Sequence, residues 1–252
     1  VIISRIKQVL LIGAGIFWYL SEVVVATPST HIWAPSTDIQ PFSKWHLTSD
    51  MYLPVKRDGV GIRWSTVTNL GLTVGVLPFK NINLEIGLDH KSGTGMLDNY
   101  PLYFNAKLGT PEDGLVKYIP AVAIGVYDLG TKKDLTDNNI IYAEIAKTFK
   151  SGKTSLGRFS AGYFTGNKKL LLDDKGEKDN QGPILAWERT MDEISSKLWV
   201  CAEYMGTKSS YGTVNFGFSW KFADNVAMIF GYDIFNNRNI PDAATLQLDI
   251  DF

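Results

Sequence analysis

The sequence predicts an all-β fold: a transmembrane, antiparallel, up-and-down β-barrel of about 12 strands, preceded by a cleavable leader. Three observations carry the prediction. Apolar residues recur one in two along segment after segment, the period of a strand with one oily face. Each such segment is close to the ~10 residues that a tilted strand needs to cross a bilayer. The links between segments alternate between tight and longer, more polar stretches.

Residues 1–26 read as a signal peptide. Arg5 and Lys7 form a basic start, Val9–Leu20 a short apolar run, and Val24–Ala26 the small residues that a signal peptidase reads, with cleavage before Thr27. The competing reading is a single membrane-spanning helix. It is disfavoured because the run is short of the ~20 apolar residues required, and Glu22 breaks the apolar character just beyond Leu20. Residues 27–43 lack alternation, and Pro35 and Pro41 exclude a regular central strand. Two roles stay open for them: a periplasmic lead-in, or a plug tucked into the barrel mouth.

The barrel is expected over residues 44–252. The clearest strands are 69–79, 82–90, 101–109, 213–222, 226–234 and 244–252. In the last, Ala244, Leu246, Leu248, Ile250 and Phe252 share one face, and Thr245, Gln247, Asp249 and Asp251 the other. Less regular copies lie near 44–53, 119–128, 140–149, 156–166, 184–191 and 198–206.

The polar face separates a barrel in lipid from a soluble sandwich. It is made of Gly, Ala, Ser, Thr and Asn with isolated charges of both signs, rather than the long Lys and Glu of a solvated surface. That composition suits a narrow polar lumen, and closing the ring leaves no unpaired edge in hydrocarbon. Phe79, Phe149, Trp220, Phe222 and Phe252 fall at strand ends leading to short turns, and Trp64 and Tyr100 at loop ends, as interfacial girdles require.

With these residues the chain resembles the small, porin-like outer-membrane β-barrel proteins of Gram-negative bacteria. The resemblance implies an outer-membrane location and contact with outer-membrane lipid. It also implies that the final strand, through Leu246, Leu248, Ile250 and Phe252, is the signal read by the barrel-assembly machinery.

Composition removes other classes. A net charge of −1 offers no basic footprint for nucleic acid. A single cysteine, Cys201, allows no disulfide and no zinc spacing; it falls on an inner face as a small packing residue. The three histidines, His31, His46 and His90, lie far apart in sequence, which argues against a metal site. The acidic stretch around Gly176 does not follow calcium-loop spacing and reads as a solvated loop. No cofactor is expected.

The expected function is a channel for passive diffusion of small solutes. Alternation puts Asp50, Glu85, Asp89, Glu144, Glu188, Glu203, Asp233 and Asp249 on the inner face, against Arg63, Lys107, Arg158 and Lys221. Acids outnumber bases, which gives a weak cation preference. A shift of one residue in register would turn any of these to lipid. One alternative is a lipid hydrolase. His90 and Ser92 stand two apart on an outward face and resemble the His-x-Ser of lipid A deacylases, a base beside a hydroxyl. Gly93 replaces the usual following Asn, and no orienting acid is evident. The other alternative is a closed barrel that binds a partner through its loops.

Overall fold

A computed structural model describes residues 30–56, 64–152 and 154–252. The expected signal peptide and Arg63 lie outside the described residues. The strands are Trp45–Pro54 (β1), Val67–Gly75 (β2), Asn83–Ser92 (β3), Leu102–Thr110 (β4), Ala121–Gly130 (β5), Asp137–Ser151 (β6), Thr154–Thr165 (β7), Gln181–Thr190 (β8), Leu198–Met205 (β9), Thr213–Ala223 (β10), Val226–Phe235 (β11) and Ala243–Asp251 (β12). Each pairs antiparallel with its sequence neighbours, and β1 pairs with β12 to close the ring. The seam runs in register from His46 opposite Asp251 to Pro54 opposite Ala243. It continues to the last residue, where Trp45 and Phe252 exchange backbone bonds of 2.8 and 3.0 Å.

The side-chain pattern is the inverse of a soluble protein. On β3, Ile86 is 48% exposed while Glu85, its neighbour, is 3% exposed. On β12, Thr245, Gln247, Asp249 and Asp251 are buried, while Leu246, Leu248 and Ile250 are half-exposed. The barrel therefore presents its apolar side chains outward and its polar ones inward, the arrangement of a barrel solvated by lipid. Phe79, Phe149, Phe222 and Phe252 stay exposed near one rim.

That rim carries the links 76–82, 111–120, 191–197 and 224–225 and the β6–β7 turn; the other carries the β1–β2 link and 93–101, 131–136, 166–180, 206–212 and 236–242. The expected alternation of short and long holds only in part: the 111–120 link on the short-turn rim is longer than the 131–136 link that follows it, and 191–197 equals 206–212 in length. The 111–120 link is tied down rather than free. Lys147 on β6 bonds Glu112 at 2.9 Å and Asp113 at 3.3 Å, and Thr148 donates backbone and hydroxyl bonds to Glu112. Burial pushes the Glu112 carboxyl up, but these bonds outweigh it and hold the group below its usual range. Arg189 similarly meets Glu193 of the next turn at 2.7 Å. Both cations start on the lipid side of the wall and reach back to acids at the rim.

One side of the interior is packed. Ala34, Ile140, Tyr142, Phe164, Leu171, Ile184, Met205 and Tyr211 form a buried apolar cluster. Leu171 comes from the 166–180 link, which folds inward. The acidic part of that link makes a turn: Asp173 Oδ1 accepts from the backbone N–H groups of Lys175 and Glu177 at 2.9 and 2.8 Å.

A charge on the outer face tests the lipid assignment. Leu88 lies midway along β3 and faces outward. Leu88→Arg should cost about 2–4 kcal/mol of folding free energy in liposomes, read by urea titration. A loss near zero would place that face in water.

Candidate functional site

Residues 31–40 lie inside the ring, with Thr30, Pro41 and Phe42 exposed at the ends of the segment. The attachment of this segment is built from charges on the wall. Glu203 on β9 accepts three consecutive backbone N–H groups: Ile32 at 3.2 Å, Trp33 at 2.6 Å and Ala34 at 3.1 Å. Asn215 on β10 holds the same carboxylate at 2.6 Å. Gln247 on β12 donates to the Ile32 carbonyl at 2.6 Å. Lower down, Glu85 accepts from Gln40 N–H at 2.7 Å, and Lys107 donates to the Asp38 carbonyl at 2.5 Å. Arg158 meets Asp38 at 2.8 Å and Glu188 at 3.3 Å, and also donates to the Thr37 hydroxyl.

Small residues on the wall make room for the segment. A Cβ at Gly75 would stand 2.0 Å from the Pro41 carbonyl. At Gly217 and Gly231 the Ile32 side chain comes within 3.0 Å of where a Cβ would be. Trp33 meets Tyr52 and Phe235 edge-on at 5.3 and 5.5 Å, and its indole N–H donates to the Tyr211 carbonyl.

Beside the segment runs a cavity of about 810 Å³. It extends from Trp64, Gly93, Leu97 and Ile240 near the loop rim to His46, Thr73, Glu85 and Asp249 toward the other end. Its wall comes mainly from β1 to β5, the side opposite the packed cluster. Two hydrogen-bonded groups line it. In one, Asn69 bridges Asp50 and Asp89 at 3.1 Å each, Asn105 holds Asp89 at 2.7 Å, and Thr48 holds Asp50 at 2.6 Å. In the other, Lys91 meets Asp128 at 2.5 Å, and Asp128 also accepts from the Tyr211 hydroxyl. Toward the short-turn rim His46 sits between Asp251 at 2.8 Å and Asp249 at 3.3 Å.

The inner-face charges named from sequence thus divide. Asp50, Glu85, Asp89, Lys107 and Asp249 border the cavity. Glu203 and Arg158 hold the segment, as Glu85 and Lys107 also do, and Glu188 pairs with Arg158. Glu144 and Asp233 are buried, and none of their carboxylate oxygens has a hydrogen-bond partner. Lys221 is half-buried on β10. Sequence reasoning missed Asp128, Lys91, Tyr211 and Asp38. Lys91 shares the parity of Asp89 and was legible. Asp128 was not: a bulge in β5, with Asp128 at φ 54°, turns both Tyr127 and Asp128 inward. Trp64, expected in an aromatic girdle, borders the cavity.

Among the described residues the outward pair does not form a base–hydroxyl contact. Ser92 Oγ bonds Thr68 Oγ1 at 2.7 Å. His90 lies between Leu70 and Leu102 on the neighbouring strands.

No family model and no curated relative matches the sequence. Solved structures do. The KdgM porin aligns with a TM-score of 0.50 at 8% identity, over 83% of this chain and 98% of that one. An outer-membrane channel from Pseudomonas putida F1 gives a TM-score of 0.47 at 12% identity, over 85% of this chain and 97% of that one. The likeness is one of fold.

Glu203 is the main anchor of the segment. Glu203→Ala removes a charged acceptor shared by three amides, each such bond contributing about 1.5–3 kcal/mol. Hydrogen exchange at Ile32, Trp33 and Ala34 should accelerate roughly 10- to 150-fold, with the strands unaffected. Unchanged exchange would mean the segment is held elsewhere.

Proposed function

We propose that this protein is a narrow channel of the Gram-negative outer membrane, passing small polar solutes by diffusion with a weak preference for cations. The observation that carries the reading is the acid-lined cavity alongside the inner segment, within a barrel whose outer face is apolar. Asp50, Glu85, Asp89, Asp128 and Asp249 border it, against His46, Lys91 and Lys107. In a narrow bore such side chains set selectivity. Residues 31–40 fill much of the remaining lumen and set its width.

In this reading residues 1–26 are removed on export, and the loop rim faces outward. The outward face of β12 at Leu246, Leu248, Ile250 and Phe252 contacts lipid and serves the assembly machinery. The protein is not an enzyme. Support for that comes from Ser92, whose hydroxyl is engaged by Thr68, and from the apolar neighbours of His90.

Conductance in a planar bilayer under a salt gradient tests the proposal. Folded protein should give discrete steps with a cation-selective reversal potential. Replacing Asp50 and Asp89 by Asn should move that potential toward zero, and deleting residues 30–42 should enlarge the steps. Anion selectivity would sink the assignment of the acids. An absence of steps from folded protein would favour the closed, partner-binding barrel, and lipid hydrolysis lost in His90→Ala would favour the enzyme.

A further inference from the structure

The inner segment and the wall also meet at a cluster that a diffusion channel does not require. His31, Cys201 and Glu203 are all buried, and one ligand-type atom of each lies within 4.8 Å of the others. Glu144 Oε1 stands 3.9 Å from His31 Nε2, and Glu188 Oε2 stands 3.9 Å from His31 Nδ1. Both gaps are too long for a hydrogen bond. Glu144 is 2% exposed, and neither its two carboxylate oxygens nor His31 Nε2 has a hydrogen-bond partner.

A buried carboxylate without a partner either loses its charge or meets a cation. Arg158 does not serve Glu144, being engaged by Asp38 and Glu188. Glu203 is not exhausted by the segment. Its Oε1 takes three N–H donors, whereas Oε2 takes one, from Ile32 at 3.2 Å.

We propose that His31, Cys201 and Glu203 form a site for one zinc-like divalent cation, with the uncompensated Glu144 carboxylate next to its imidazole ligand. An imidazole, a thiolate and a carboxylate are the donor set of a borderline-soft ion without geometric preference of its own. Donors about 2.0–2.3 Å from such an ion stand roughly 3.5 Å apart, so the cluster closes by about 1 Å on binding. Cys201 gives up its thiol proton to solvent, and affinity therefore rises with pH. One ligand belongs to the segment and the others to the wall. The ion consequently pins residues 30–42 to β9. This site stands whether or not the barrel conducts.

The test uses the full chain folded in detergent micelles, with folding checked by heat-dependent gel mobility. Zinc is titrated calorimetrically, and cadmium is monitored by its thiolate charge-transfer absorption. Wild type should bind one ion per chain. Cys201→Ser, which changes one atom, should abolish the cadmium band and weaken zinc binding by at least about tenfold, and His31→Gln should do the same. If His31→Gln does not fold, Cys201→Ser decides. Folded wild type that binds neither ion would overturn the site. Variants that bind as tightly as wild type would overturn it too.

Discussion

The pairing of β1 with β12 is the interaction on which the rest depends. Hydrocarbon supplies no water to an unpaired amide, so an open sheet of these strands has no stable place there. Closure removes both edges at once and fixes which face of every strand meets lipid. The seam is reinforced from within. His46 on β1 is clamped by Asp249 and Asp251 on β12. Gln247, on the same face, reaches across to the Ile32 carbonyl. Polar residues on the inner face of the last strand thus bind the seam and the inner segment together.

Closing the ring creates a second demand, because its inner face is too small in side-chain volume to fill it. Glycines at 75, 217 and 231 leave gaps rather than fill them. The space on one side is taken by Ala34 and Trp33 of the segment and by Leu171 from a link. The segment is not a strand, so its amides need other partners, and carboxylates on the wall provide them. Charge-assisted bonds of this kind are stronger than neutral ones and gain further from the low local dielectric. They also explain why acids persist on a wall that lipid surrounds: Glu203 and Glu85 are desolvated but paired.

The strands were legible because their period is two and survives without knowledge of any partner. Every expected strand is present, most within a few residues of the alternating stretch that announced it. The lumen was legible only where parity holds. Asp128 escaped because a bulge inverts parity locally, a backbone event with no mark in the apolar pattern. Residues 30–42 carry no period at all, and their partners lie far along the chain; Trp33 and Glu203 are 170 residues apart. His31 and Cys201 escaped for the same reason. Their spacing argues against a shared site, and only the path of the segment brings them together.

The proposed selectivity rests on few residues, since the chain as a whole carries a net charge of only −1. Many inner charges are paired in place: Arg158 lies between Asp38 and Glu188, Lys107 meets Glu85, and Lys91 meets Asp128. What remains along the cavity is Asp50 and Asp89, held by amides and hydroxyls that bring no countercharge, and Asp249 beside His46, which Asp251 behind the lining also engages. Amide donors can keep two carboxylates close without neutralising either. In a bore narrower than the screening length of about 8–10 Å, mobile salt does little to mask such charges. A permeating cation would take the place of the missing countercharge, and an anion would meet the uncancelled field at both levels of the cavity.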